Sequence, residues 1–246
     1  MAEPVMECRD VSCRYDDTPV LEHVDLTIER GELVAILGRS GSGKSTLLRT
    51  MVGLLPPVSG EVRVLGHSLY ELDDAARRAV LRRVGVVFQQ DALFGALPAA
   101  SNVALPLREL TALREPVIAE LTRLQLALVG LAGLEHRAPA ELSGGQRKRV
   151  AIARASILSP ELLCCDEPTA GLDPIAAAGI DELLIRYRTA LGMTIIVVSH
   201  ELASIRATAT RAVMLDDGGI RAIGTVDELA HSRDQQVFAF FHARPS

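Results

Sequence analysis

Residues 38–46 read Gly-Arg-Ser-Gly-Ser-Gly-Lys-Ser-Thr, a run whose residue types suit one task, the grip of phosphate oxygens. Its glycines carry no Cβ, so the backbone can curl and turn its N–H groups inward. The run fits the pattern G-x-x-x-x-G-K-[ST] from Gly38 to Ser45. It also follows a short apolar strand, "ELVAILG", and precedes a helix, as that pattern requires. In such a loop Lys44 reaches the β- and γ-phosphates of a nucleoside triphosphate, and the Ser45 hydroxyl ligates Mg²⁺. Arg39, Ser40, Gly41, Ser42, Gly43 and Thr46 complete the candidate nucleotide-binding run.

Two acids and a histidine supply further chemistry. "LLCCDEP" places Asp166 and Glu167 at the carboxyl end of an apolar strand, where ligands of open α/β sheets gather. Asp166 is the candidate Mg²⁺ ligand, and Glu167 the candidate that polarises an attacking water. Acids at such a place can also cap the next helix, and "DEPTAGLDP" does precede one, with Pro174 suited to its first turn. His200 ends the following apolar strand in "IIVVSHE". If that strand is parallel to its neighbour, His200 faces the same crevice, within reach of a γ-phosphate. A second helix start suited to phosphate is "LSGGQ" at 142–146, far from the first in sequence.

These residues need a frame. The 246 residues suffice for one large domain, or a core with a subdomain. Hydrophobic residues are 48% and aromatic residues 3%, with no Trp, so aliphatic side chains must build the interior. The formal charge of −5 argues against a nucleic-acid surface. "VLEHVDLTI" alternates apolar and polar residues, as half-buried antiparallel strands do. A helix is expected from Gly43 to about Leu55, then a hairpin over "PPVSGEVRVLG", a helix over "AARRAVLRR" and a strand over "VGVVFQQ". Between Asp91 and Glu141 strand signals vanish, and "EPVIAELTRLQLALVGL" has helical spacing, which predicts an inserted helical subdomain. Helices over 143–158, 174–190 and 201–208 then alternate with the strands "ELLCCD" and "TIIVVS". Alternation of this kind predicts a mainly parallel sheet covered on both faces. A last hairpin, "AVMLDDGGIRAIG", turns at Asp-Asp-Gly-Gly. Four cysteines without metal-ligand spacing read as small buried hydrophobes, Cys164 and Cys165 pointing to opposite faces of one strand. "MAEPVMECRD" lacks the apolar core of a secretory signal, and no apolar run approaches the roughly 18 residues of a membrane span.

Taken in this order, the motifs resemble those of the ATP-binding subunits of ABC transporters over nearly the whole chain. The resemblance implies an α/β P-loop NTPase (RecA-like) core with an N-terminal antiparallel β subdomain and an inserted helical subdomain. It places the whole domain at 4–242, the core in 1–90 and 158–230, the helical part in 91–157 and a short tail in 231–246. It implies ATP and Mg²⁺ as cofactors, with Gln89 (Gln90 beside it) as the glutamine-loop residue that contacts Mg²⁺ and the attacking water. Tyr15, ending "VSCRY", resembles the aromatic that stacks on adenine, and Asp173 in "GLDP" the D-loop aspartate. Ser143, Gly144, Gly145 and Gln146 resemble the signature that closes over the ATP of a second copy packed head-to-tail. Of the basic run Arg147-Lys148-Arg149, a solvated helix face is the expectation for at least part.

The resemblance also implies membrane permease subunits as partners, hence a peripheral place on the cytoplasmic face of a bacterial inner membrane. "NVALPLREL", "GLDPI" and "DQQVFAFF" resemble the lipid-trafficking, MCE-type (Mla-like) systems, which implies phospholipid cargo, an MCE lipid-binding protein and a STAS-domain regulator. Amino-acid importers and lipoprotein-release ATPases share much of the pattern, and an iron–sulfur assembly scaffold is the alternative outside transport. The terminal "VFAFF" is expected to pack an apolar helix face on the core.

Overall fold

The computed structural model describes residues 4–16 and 18–242, apart from the side chain of Tyr15. In chain order the elements are β1 (Pro4–Tyr15), β2 (Thr18–Glu29), β3 (Leu33–Gly38), α1 (Lys44–Met51), β4 (Ser59–Val64), β5 (His67–Ser68), α2 (Asp74–Leu81) and β6 (Val84–Val87). Next come α3 (Ala99–Leu110), α4 (Glu115–Leu128), a 3₁₀ turn (Pro139–Glu141), α5 (Gly144–Ser156), β7 (Leu162–Asp166), α6 (Pro174–Leu191) and β8 (Thr194–Val198). The chain then forms α7 (Leu202–Thr208), β9 (Arg211–Asp216), β10 (Gly219–Gly224), α8 (Val226–Ala230) and α9 (Gln235–His242).

Two sheets result. An antiparallel sheet runs β2-β1-β4-β5, and a six-stranded sheet runs β10-β9-β3-β8-β7-β6. In the larger sheet β9, β3, β8, β7 and β6 are parallel, and β10 is an antiparallel edge. Every residue of β3, β7 and β8 is buried, because helices or the second sheet cover both faces. The period of two sorts their side chains between cores. Val34, Ile36, Cys164, Ile196, Val198 and Val213 face the antiparallel sheet and α1. Leu33, Leu163, Cys165, Ile195 and Val197 face α5 and α6. Cys164 and Cys165 therefore do point to opposite faces, and all four cysteines are buried free thiols. Ala35, Leu37, Ala212 and Met214 meet α7, α8 and α9.

The inserted segment forms α3 and α4, as the loss of strand signals predicted, but its interior is not separate. Val150, Ala151, Ile152 and Ala153 of α5 share one core with Leu126 of α4, Val103 of α3 and the sheet. Helix α1 ends at Met51, short of Leu55, where Gly53 takes φ 78° and unwinds the turn. Helix α9 packs on the third core through Val237 and Phe241, as the terminal apolar pattern predicted, and leaves Phe238 exposed. No described helix is long and apolar enough to cross a membrane.

Candidate functional site

The parallel register brings the candidate residues to one edge. Asp166 pairs with Val198, and Gly38 with Leu215, so β3, β7 and β8 deliver their carboxyl ends side by side. Beyond them the backbone continues the pairing: Glu167 N–H donates to Val198 O (2.9 Å) and Ser199 N–H to Ile36 O (3.2 Å). Here lies a cleft of about 710 Å³, lined by Gly38, Arg39, Ser40, Gly41, Gly43, Lys44, Ser45, Thr46, Gln89, Glu167 and His200, with Val20 and Phe240.

The loop after β3 must bend sharply. Gly38 sits at φ 146°, and a Cβ there would lie 2.3 Å from the carbonyl oxygen of Leu215. Only glycine lets the loop pass so close to β9. Gly43, at φ 95° as the N-cap of α1, faces the Leu21 side chain at 2.6 Å in the same way. Lys44 then folds over the loop and donates to the carbonyls of Gly38 (2.9 Å) and Arg39 (2.8 Å). Burial holds its ammonium below the usual lysine range, opposed by the carboxylates of Glu167 and Asp166. Ser42 is turned from the cleft, its buried Oγ without a partner among the described residues.

Ser45 Oγ donates to Asp166 Oδ1 across 3.4 Å, a long contact. Burial raises the Asp166 pKa, and the Ser45 hydrogen bond and the charges of Arg49, Lys44 and Lys148 only partly offset it. Glu167 takes a left-handed backbone, φ 50°, which aims its carboxylate at His200: Oε1 and Nδ1 are 2.7 Å apart. Glu167 Oε2 is buried and has no hydrogen-bond partner among the described residues. His200 itself keeps 63% of its side chain exposed, at the mouth of the cleft.

These residues fit a magnesium nucleotide. Mg²⁺ takes hard oxygen ligands, one or two from protein and the rest from phosphate and water, and Ser45 and Asp166 offer such oxygens. Among the described residues no group of three or more His, Cys, Asp and Glu forms a self-sufficient metal cage. Glu167 Oε2 is a buried acceptor with no partner among the described residues.

The remaining sequence candidates separate. Gln89 and Gln90 are both exposed, and of the two only Gln89 lines the cleft. The backbone of Tyr15 pairs with Thr18, but its side chain lies outside the described part of the structure. Ser143 caps α5: its Oγ accepts from Gln146 N–H (3.3 Å), and Gln146 Oε1 accepts from Ser143 N–H (2.9 Å). Gly144 and Gly145 lie against Leu172 and Ala176. None of residues 143–146 lines the cleft of its own chain. Asp173 also caps a helix, accepting from Ile175 N–H and Ala176 N–H, both at 3.0 Å. The capping considered for the acid pair thus falls to Asp173, while Glu167 lines the cleft and Asp166 lies behind it against Ser45.

The basic run is solvated only in part, as expected for at least some of its charges. Arg147 is a partly solvated side chain, but Lys148 is buried, and Arg149 donates to Val129 O (2.8 Å) beside Gly179. Phe240 and Val20 were not singled out from sequence as part of the cleft. Helical spacing in "VFAFF" shows an apolar face, but no local signal says that the chain end folds back onto the phosphate loop.

The ABC transporter family model matches residues 21–170, and the chain belongs to that family. The methionine import ATP-binding protein MetN of Brucella abortus (strain 2308) is 42% identical over 223 residues, 91% of this chain and 60% of MetN. The chain thus spans about three fifths of the length of that relative. The intermembrane phospholipid transport system ATP-binding protein MlaF of Haemophilus influenzae is 37% identical over 240 residues, 98% of this chain and 91% of MlaF. Among solved structures, the dimeric post-hydrolysis state of the ATP-binding cassette MJ0796 bound to ADP and Pi superposes with TM-score 0.82. It shares 33% identity over 90% of this chain and 98% of its own.

Proposed function

We propose that the chain is the ATP-hydrolysing subunit of an ABC transporter, driving a separate membrane permease. The observation that carries this reading is the convergence of Lys44, Ser45, Glu167, Gln89 and His200 on one cleft formed by a glycine loop, with Asp166 against Ser45. In this reading residues 38–46 hold the triphosphate through backbone N–H groups and Lys44. Ser45 and Asp166 would hold Mg²⁺, with Gln89 beside them, and the ion would supply positive charge to the phosphate oxygens. Glu167, which lines the cleft, accepts the proton of the attacking water. His200 orients Glu167 through the 2.7 Å contact and offers its ring to the γ-phosphate. Residues 4–242 form the ATP-binding domain, with 91–157 as its helical part and 231–246 as its tail.

Ser143, Gly144, Gly145 and Gln146 serve the ATP of a second copy. Their place outside their own cleft, and the dimeric cassettes among the structural relatives, support that reading. Asp173, at the neighbouring helix start, belongs to the same face.

For the cargo, the greater identity to methionine importers favours an amino-acid importer over a phospholipid system. The phospholipid reading rests on MlaF, matched over 91% of its length, and brings the MCE and STAS partners with it. The test is co-purification in detergent with the membrane subunits, followed by ATP-driven uptake of labelled methionine and of labelled phospholipid in vesicles. Methionine uptake with no phospholipid movement supports the first reading, and the reverse supports the second. No Mg²⁺-dependent ATP hydrolysis by the assembled complex contradicts both.

A further inference from the structure

Lys148 lies in α5 a few residues after the signature glycines, and its side chain is only 7% exposed. Its Nζ donates to the carbonyl of Gln89 at 2.6 Å and reaches the carbonyl of Glu167 at 3.5 Å. Asp91 Oδ1 lies 3.0 Å from the same ammonium at an angle too sharp for a hydrogen bond, so that contact is Coulombic. One buried charge thus touches both segments whose side chains enter the cleft from this side.

Both segments are held in conformations that side-chain-bearing residues avoid. Asp91 (φ 59°), Ala92 (φ 50°) and Glu167 (φ 50°) are left-handed, a state that persists only where the surroundings over-determine it. Arg154, from the last turn of α5, adds two bonds to the glutamine segment, to Asp91 O (2.9 Å) and Ala92 O (2.8 Å). Beyond it, the buried Asn102 fixes the following loop through Phe94 N–H (2.8 Å), Phe94 O (3.1 Å) and Leu97 O (2.9 Å). Burying an ammonium among carbonyls and one carboxylate is poor value for stability, since an apolar side chain of similar volume often does as well or better. The geometry has a different use.

We infer that Lys148 is a positioning residue for hydrolysis, fixing the carbonyls of Gln89 and Glu167 from within the signature helix. Movement of that helix then shifts the glutamine and the carboxylate together, so engagement of the signature and readiness of the water-activating groups are one event. The inference rests on the roles given to Gln89 and Glu167 above. Lys148 touches no substrate, so its loss acts on turnover and not on nucleotide capture.

The experiment compares kcat and KM for Mg·ATP in full-length wild type, Lys148→Met, Lys148→Arg and Asp91→Asn, with thermal melts of each. Lys148→Met is expected to lower kcat by about 10–100-fold, the scale of a small misplacement of reacting groups, with KM within about twofold. Lys148→Arg keeps the charge and should retain clearly more turnover than the Met variant. Asp91→Asn, which tolerates a left-handed backbone, should lower kcat by a smaller factor and add little in the Lys148→Met background. Wild-type kcat in the Met variant, or equal losses in the Met and Arg variants, overturns the inference. If Lys148→Met does not fold, Asp91→Asn decides: undiminished kcat overturns it. Wild type that hydrolyses no ATP sinks the parent reading, whereas active wild type with an equally active Met variant sinks only the role of Lys148.

Discussion

Glu167 and His200 follow the ends of adjacent parallel strands, their Oε1 and Nδ1 atoms 2.7 Å apart, and the second glutamate oxygen is buried with no partner among the described residues. The contact with His200 fixes the direction of the carboxylate, as a positioned general base requires. Glu167→Gln is expected to lower kcat by 10²–10⁴-fold, roughly the contribution of a positioned general base, while ATP still binds. Steady-state hydrolysis beside equilibrium binding of a fluorescent ATP analogue checks this. Turnover near wild type contradicts the assignment.

His200→Ala removes the partner of that carboxylate and should also lower kcat. Because the two act as a unit, the double variant should be scarcely worse than Glu167→Gln alone. Additive losses would show that His200 works independently of Glu167.

Lys44→Ala deletes a cation from the phosphate cleft. A charge-assisted hydrogen bond contributes about 1.5–3 kcal/mol, so ATP affinity should fall by about 10–100-fold, measured by calorimetric titration. The fold should hold, since the carbonyls of Gly38 and Arg39 released by the substitution face the solvent-filled cleft.

Asp166 carries an acid pKa raised chiefly by burial. A raised acid pKa means that the folded state binds the proton more tightly than the unfolded chain does. The nucleotide-free protein therefore gains stability as pH falls through the folded value, and the penalty is fully present above it. At neutral pH Asp166→Asn should raise the melting temperature without nucleotide and abolish Mg²⁺-dependent hydrolysis, a trade between stability and activity. A lower melting temperature across the pH range contradicts this.

Much of this site was legible because its chemistry is local. Gly38 to Thr46 needs its glycines within one turn, and Asp166, Glu167 and His200 end uninterrupted apolar strands whose parallel pairing follows from strand–helix alternation. The boundaries that slipped depend on neighbours: α1 stops at Met51 through a left-handed Gly53, and α5 shares its core with the sheet. Lys148 was not distinguishable from Arg147, because a basic run reads alike whether its carbonyl partners are supplied by a distant loop or by water. Phe240 entered the cleft by the return of α9, a fold-level event with no mark in its own residues.

The most direct test is complementation between two inactive chains, since the signature residues lie outside their own cleft. Ser143→Arg breaks the signature and leaves the phosphate loop, whereas Lys44→Ala does the opposite. Mixed with the membrane subunits, half of the dimers pair the two chains, and each of these holds one intact composite site. ATP hydrolysis should return to about a quarter of the wild-type rate per chain if each site acts alone. Hydrolysis that stays at the level of the separate variants, although mixed dimers are shown to form, contradicts a site built from two copies.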